Sequence, residues 1–188
     1  MSQFDFLSVL VSIIIALGLS HILVSAAQLI RRRRRVQMHY TTLVWMAVLF
    51  LLLVQVWWVA FYRREIIHWS FFGFLLYLSI PTLVSVLGYL LVSEIELELE
   101  PKFDLEREYY ENRRWFFGIL GSVVVLSLVE DAVRSGTLSV DLNSAIRFIF
   151  LLLSAAGFFI RAKRAQFSIA MTFLIVLLCY IGLVFARL

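Results

Sequence analysis

Four long uncharged stretches dominate the pattern of apolar and polar positions along the chain. They run from Phe6 to Ile30, Val36 to Tyr62, Ile66 to Ser93 and Ala165 to Ala186. Each exceeds the roughly 20 residues that a helix needs to cross about 30 Å of hydrocarbon. A membrane β-barrel would instead show short segments of alternating polarity. Each stretch therefore predicts a transmembrane helix.

Two further apolar runs each contain a charged residue near one end. The first begins at Trp115 and meets Glu130, and the second follows Arg147, from Phe148 to Ile160. They predict two more membrane helices, and a shallow re-entrant pair is the alternative. The chain is thus predicted to be all-α, a polytopic membrane bundle that forms a single transmembrane domain over residues 1–188. The six predicted helices cover about residues 4–30, 41–62, 67–92, 115–133, 142–160 and 166–187.

The composition agrees with a membrane-embedded chain. Hydrophobic residues make up 62% of the 188 residues and charged residues only 16%, whereas soluble domains contain roughly 45–50% apolar residues. The first apolar run is longer than the apolar core of a signal peptide, which is about 7 to 15 residues, and no basic leader precedes it. We therefore expect it to remain in the mature protein.

The distribution of basic residues predicts the orientation in the membrane. If the run Arg31–Arg35 is cytoplasmic, six alternating spans place Lys102, Arg107, Arg113, Arg114, Arg161, Lys163 and Arg164 on the same side. Only Arg63, Arg64, Arg134 and Arg187 then fall outside, and Arg147 is embedded. Because basic residues are retained on the cytoplasmic side, both termini are predicted to be extracytoplasmic. The predicted location is the plasma (inner) membrane of a prokaryote.

Five consecutive arginines, Arg31, Arg32, Arg33, Arg34 and Arg35, follow the first span directly. Their position predicts a topology signal among anionic lipid headgroups, where each basic residue contributes roughly 1 kcal/mol. Basic runs can also mark nucleic-acid binding. This run lies within a few residues of two membrane spans and has no accompanying soluble domain, so no nucleic-acid partner is predicted.

An acidic loop is predicted over residues 93–114, on the cytoplasmic side. Alternation of Glu94, Glu96, Glu98 and Glu100 with apolar residues suits a short strand, and a frayed continuation of the third span is equally compatible. Asp104 is positioned to cap a helix, in which Arg107 and Glu111 would pair at i, i+4. The loop is a candidate contact for the arginine run or for a cytoplasmic protein partner.

Polar residues within the predicted spans are the candidate functional residues, because each is costly in a membrane and usually faces protein or water. His21, Ser25 and Gln28 share one face of the first helix, and Gln55 lies in the second. Glu130 and Arg147 reach similar depths when counted at about 1.5 Å per residue from the cytoplasmic ends of their helices. An ion pair between them is predicted. These residues are the candidates for a pore lining or polar network: His21, Ser25, Gln28, Gln55, Glu130 and Arg147.

Enzyme, cofactor and metal signatures are not found in the sequence. There is no phosphate-binding loop, no G-x-S-x-G and no H-E-x-x-H motif, and Cys179 is the single cysteine. The three histidines fall at different predicted depths, which disfavours a haem clamped between helices. The chain is therefore predicted not to be an enzyme, with no cofactor and no metal.

These features favour a homo-oligomeric channel or pore as the predicted function. Six helices of this size leave little room for a wide aqueous path through one bundle, so conduction would require self-association around an axis. The arginine run and the glutamates of the acidic loop would line the inner mouth, and the region of Glu130 and Arg147 the outer mouth. The alternative is a nonconducting membrane scaffold or sensor that engages a partner through its cytoplasmic loop. A monomeric carrier of small solutes ranks third.

Overall fold

A computed structural model of the protein describes residues 3–62, 70–92, 103–135 and 142–185. These ranges contain six helices and two very short strands. They are α1 (Gln3–Arg31), β1 (Val36–Gln37), α2 (Tyr40–Tyr62), α3 (Phe71–Leu91), β2 (Phe103–Asp104), α4 (Leu105–Ser135), α5 (Leu142–Phe159) and α6 (Lys163–Phe185). All six helices are long and apolar enough to cross a membrane, which confirms the predicted all-α fold with six spans.

Side-chain caps explain where two of the helices begin. Ser70 accepts a hydrogen bond from the Gly73 amide at 3.1 Å and caps α3. Asp104 Oδ1 accepts from the amides of Glu106 (2.9 Å) and Arg107 (3.3 Å), as predicted for a helix N-cap. The predicted pair of Arg107 and Glu111 is also present, with a distance of 2.9 Å from Nε to Oε1.

The capped start of α4 changes the extent of the predicted acidic loop. The helix begins at Leu105 and continues to Ser135, so the helix predicted to start at Asp104 runs into the fourth span, whose start was predicted near residue 115. Four predicted contact residues lie outside the described residues: Glu94, Glu96, Glu98 and Glu100. Of the predicted loop, the structure describes only the part from residue 103 onward.

A parallel pairing of β1 with β2 joins distant parts of the chain at one end of the bundle. Val36 pairs with Phe103 and Gln37 with Asp104. The end of α1, the start of α2 and the start of α4 therefore lie together, and we call this the arginine end. Residues Arg31–Arg35 connect α1 to β1, and we call them the arginine turn. Within it, the Arg32 amide donates to the Gln28 carbonyl at 2.9 Å and the Arg35 amide donates to the Arg32 carbonyl at 2.8 Å. The sequence pattern did not predict this strand pair.

The bundle is organised around α4, which packs between α3 and α5. Helix α3 also contacts α1 and α2, and α2 contacts α6. An aromatic cluster of Trp45, Phe116, Phe117 and Phe173 fills the centre. The Trp45 ring is fully buried and lies 5.0, 5.4 and 5.2 Å from the other three rings. Such pairs each contribute about 1 kcal/mol beyond the area that they bury.

Candidate functional site

A cavity of about 150 Å³ lies inside the bundle, in the half opposite the arginine end. Side chains from α2 to α6 form its wall, and most of them are apolar. We call it the bundle cavity, and it is lined by Leu52, Gln55, Val56, Val59, Tyr77, Ile80, Val84, Leu120, Val123, Val124, Ser127, Glu130, Ile146, Arg147, Phe150, Phe173 and Tyr180. Three of the predicted site residues therefore meet here: Gln55, Glu130 and Arg147.

Arg147 makes its ion pair with Asp131, the residue that follows the predicted partner Glu130. Its Nη1 donates to Asp131 Oδ2 and, at 3.0 Å, to the Ser127 carbonyl. Ser127 and Asp131 are four residues apart and share one face of α4, so a single guanidinium reaches both. Neighbouring residues such as Glu130 and Asp131 differ by only about 1.5 Å in depth but by about 100° in direction. An estimate of depth alone could not distinguish them.

Glu130 nevertheless belongs to the same site. Its side chain is only 8% exposed and lines the bundle cavity together with Arg147. One carboxylate and one guanidinium, those of Glu130 and Arg147, therefore lie where the surrounding side chains are mainly apolar. Charges in such surroundings interact more strongly than they would in water.

Replacing Arg147 by alanine should lower the free energy of unfolding by about 2 kcal/mol, because the ion pair of Arg147 with Asp131 would be lost within the bundle. We choose a value below that of a fully buried pair because the two side chains are 21% and 30% exposed. The effect can be measured as detergent-induced unfolding of the purified protein. Arg107→Ala is the matched control, since its pair with Glu111 is solvent-exposed and contributes less than about 1 kcal/mol. Equal stability of the two variants would contradict the prediction.

The other predicted polar residues lie on α1 and do not join this site. His21 Nε2 donates to the Val92 carbonyl at 3.1 Å, and its ring stacks on Tyr89 with a centroid distance of 3.8 Å. Ser25 is buried, and Gln28 is half-buried near the end of the helix. The predicted polar network is therefore divided between two places. On α1, His21 contacts the end of α3, while the residues on α2, α4 and α5 line a cavity.

A second polar site at the arginine end was not anticipated from the sequence. Here Arg113 Nη1 donates to the carbonyls of Gly157, Phe158 (2.8 Å) and Ile160 (3.0 Å), and so caps the end of α5. The last carbonyls of a helix have no partner within it and carry a partial negative charge, which suits a guanidinium. Sequence analysis placed Arg113 only among the basic residues at the membrane boundary.

Gln166 and Tyr109 complete this capping cluster. The Gln166 side chain is fully buried, donates through Nε2 to the carbonyls of Gly157 (3.0 Å) and Ile160, and accepts from Tyr109 OH at 2.6 Å. Side chains from α4 and α6 thus donate hydrogen bonds to the last carbonyls of α5. The sequence did not single out Gln166 or Tyr109 as members of a cluster, because a tyrosine near a helix end is common at membrane boundaries.

The aromatic cluster separates the capping cluster from the bundle cavity. Phe173 lines the cavity and contacts Trp45, and it stacks on Phe150 at a centroid distance of 4.4 Å. Along α4 the order from the arginine end is Arg113, then Phe116 and Phe117, then the cavity residues from Leu120. Within the described bundle, the cavity is therefore bounded toward the arginine end by packed aromatic rings.

A charged groove of about 630 Å³ lies at the arginine end. It is lined by Gln37, Asp104, Glu106, Arg107, Tyr110, Glu111, Arg161 and Lys163. Lys163 forms an ion pair with Glu106, which ties the start of α6 to the start of α4. The groove therefore presents both signs of charge and is bordered by the β1–β2 pair.

His39 lies close to this groove and should make the stability of the protein depend on pH. Its Nδ1 is hydrogen-bonded to Thr42 Oγ1 at 3.0 Å, and its ring packs 5.2 Å from that of Tyr109. Burial lowers the pKa of His39 below its usual 6.5, outweighing the opposite effect of Glu106. As the pH falls, the unfolded chain therefore binds the proton first. The stabilisation is complete above about pH 6.5 and is lost progressively below it.

The corresponding variant is His39→Asn, which retains a polar group at the start of α2. We expect the melting temperature of the wild type to fall more than that of the variant between about pH 7.5 and about pH 5.5. The measurement is a thermal melt of the purified protein in detergent across this range. Parallel curves for the two proteins would show that His39 does not carry the effect.

Similarity to known proteins adds no assignment to these sites. Among the residues that the structure describes, no three His, Cys, Asp or Glu side chains come together as a metal site would require. The chain matches no protein-family model, no curated protein and no solved structure.

Proposed function

We propose that this six-span membrane protein is a sensor that binds a small ligand in the bundle cavity. The observation that carries the proposal is the meeting of Glu130 and Arg147 in a cavity formed by five helices of one chain. Ionisable residues within a membrane are costly and usually mark a functional site. Mostly apolar cavities with a few convergent polar groups are the usual form of small-molecule sites.

The same cavity suits a signalling role, because its wall is shared by α2, α3, α4, α5 and α6. A ligand that binds one arrangement of these helices more tightly than another would shift their populations. The capping cluster and the ion pair of Lys163 with Glu106 link α4, α5 and α6 at the arginine end. In the proposal, the cytoplasmic partner engages this end, beside the charged groove.

The proposal retains the predicted orientation, with the arginine turn at the cytoplasmic face of a prokaryotic plasma (inner) membrane. Arg31, Arg33, Arg34 and Arg35 are exposed, which suits contact with anionic headgroups. A single cysteine at Arg33, in a Cys179→Ser background, should react with a membrane-impermeant maleimide only after cells are permeabilised. A cysteine at Leu142, at the opposite end of the bundle, is the matched control and should react in intact cells. Labelling of Arg33→Cys in intact cells would overturn the orientation.

A homo-oligomeric channel is the second candidate function. The observation that favours it is the low burial of α1 and α5: only 22% and 17% of their most apolar segments is buried. These helices have the most surface for contact with further copies of the chain or with lipid. Reconstituted vesicles that release ions or small solutes, together with an oligomer in mild detergent, would support the channel. Impermeable vesicles under voltage and osmotic stress would favour the sensor.

The test of the sensor uses three probes that share a six-membered ring: cyclohexylamine, cyclohexanol and cyclohexanecarboxylate. A cavity of about 150 Å³ holds a molecule of benzene size. We expect at least one probe to raise the melting temperature of the wild type and to lose this effect in Val124→Phe, whose new ring would fill the cavity. Val125→Phe is the matched control, because Val125 is 44% exposed on the outside of the same helix.

A second pair of variants protects the test against a folding defect. Val56 lines the cavity, whereas Val54 on the same helix is exposed. Val56→Phe should therefore block the probes, and Val54→Phe should not. The proposed function fails if no probe stabilises the wild type, or if stabilisation survives in both cavity-filling variants.

A further inference from the structure

We propose that the ligand of the bundle cavity is a small neutral amphiphile, an apolar body with one uncharged hydrogen-bonding group. Gln55 binds the polar group, and the apolar body packs toward the aromatic cluster. This assignment rests on the proposed function and names the chemical class of its ligand.

Polar and apolar residues are segregated along the length of the cavity. Each of its five helices contributes an apolar or aromatic residue nearer the arginine end and a polar residue nearer the opposite end. Those nearer the arginine end include Leu52, Val84, Leu120, Phe150 and Phe173. Those nearer the opposite end include Gln55, Tyr77, Ser127, Arg147 and Tyr180, with Val56 and Ile146 at a similar level. The cavity therefore has an apolar end and a more polar end.

Gln55 and Ser127 lie at about the same depth, at the more polar end. The rings of Trp45 on α2 and Phe117 on α4 are in contact, with a centroid distance of 5.4 Å, and both helices start at the arginine end. Gln55 and Ser127 each follow ten residues later, a rise of about 15 Å on both helices. The Ser127 hydroxyl donates to the Val124 carbonyl at 2.8 Å, so it can only accept a further hydrogen bond.

The Gln55 amide is the polar group best placed to bind a neutral ligand. It carries two donors and an acceptor on one uncharged group, and it makes no hydrogen bond to the described residues. Arg147 is already bonded to Asp131 and to the Ser127 carbonyl, and Glu130 and Asp131 take part in further interactions within the protein. We therefore assign the polar group of the ligand to Gln55 and not to an ion pair.

The apolar end of the cavity disfavours ligands that are charged or polar throughout. Phe150 and Phe173 stack there at a centroid distance of 4.4 Å, and Leu120 and Val124 are almost fully buried. A polar group placed against these side chains would lose its hydration without gaining a hydrogen bond. The space of about 150 Å³ suits an apolar body of benzene size.

The test uses five probes built on one six-membered ring: cyclohexanol, cyclohexane-1,4-diol, cyclohexane, cyclohexylamine and cyclohexanecarboxylate. Their affinities for the wild-type protein in nanodiscs are measured by calorimetry at neutral pH. We expect cyclohexanol to bind at least about fivefold more tightly than the diol and than either charged probe. Each of these carries a polar or charged group that the cavity would bury without a partner.

Gln55→Leu tests the assigned contact. The affinity for cyclohexanol should fall at least about fivefold, as expected for the loss of one neutral hydrogen bond, whereas the affinity for cyclohexane should not fall. Because each probe is compared with itself, its partition into the lipid cancels. Gln28→Leu is the matched control, since Gln28 lies on α1, which does not line the cavity.

The outcomes separate the ligand class from the proposed function. Tighter binding of the diol or of a charged probe, blocked by Val124→Phe and Val56→Phe, would overturn the neutral amphiphile and leave the sensor standing. An unchanged affinity for cyclohexanol in Gln55→Leu would do the same. Binding of cyclohexanol that survives both cavity-filling variants would place it outside the cavity and overturn both. If Gln55→Leu does not fold, the order of the probes on the wild type still decides the question.

Discussion

Arg113→Ala should be strongly destabilising, lowering the free energy of unfolding by about 3 kcal/mol. The buried guanidinium caps three carbonyls at the end of α5, and alanine would leave the Phe158 carbonyl without this charged donor. Gln166 would still donate to the carbonyls of Gly157 and Ile160, so the cap of α5 would be weakened and not lost altogether. The change can be measured as a shift in detergent-induced unfolding of the purified protein.

Arg114→Ala is the control for this variant, because Arg114 is adjacent in sequence, carries the same charge and is exposed. It should change stability by less than about 0.5 kcal/mol. Comparable losses in the two variants would mean that charge near the membrane boundary matters and that the cap of α5 does not.

Gly157→Leu should destabilise the protein by about 3 kcal/mol through overpacking. A Cβ at this position would lie 2.5 Å from Phe117 Cδ1 and would also clash with other atoms of the ring. Phe117 is fully buried within the aromatic cluster, so its ring has little space into which to move. Thermal melts in detergent would measure the loss.

Gly182→Leu provides the matched control, since no heavy atom lies within 4 Å of a Cβ built at Gly182. It should be nearly neutral. The variant Phe117→Ala removes the obstructing ring, so combining it with Gly157→Leu should cost less than the sum of the two single changes. Additive losses would show that contact between residues 117 and 157 is not the cause.

Both expected effects concern the region between the bundle cavity and the arginine end. Gly157 and Phe117 bring α5 and α4 together, and Arg113 then caps α5 just beyond them. If the cavity is the binding site, this packed region is where a movement of α4 against α5 would be transmitted to the charged groove. Variants there that fold but lose the response to a probe would be informative about signalling.

The depth of a residue in the membrane was not enough to predict its partners, because depth does not give the direction of its side chain around the helix. Gln55, Glu130 and Arg147 were predicted as candidates, and the structure brings these three residues to one cavity. The partner of Arg147 was predicted as Glu130, whereas the structure shows the ion pair with Asp131. His21 was grouped with them by polarity alone, but it bonds to the end of α3.

The sequence alone determined the number of spans, the approximate limits of all but the fourth, the cap at Asp104 and the pair of Arg107 with Glu111. Length and continuous apolarity suffice for a span, and capping and i, i+4 pairs are local along the chain. Only the tertiary structure decided which polar residues meet, how α5 is capped and where the cavity lies. In a membrane helix the faces toward lipid and toward neighbouring helices are both apolar, so the periodicity that identifies the buried face of a soluble helix is nearly absent.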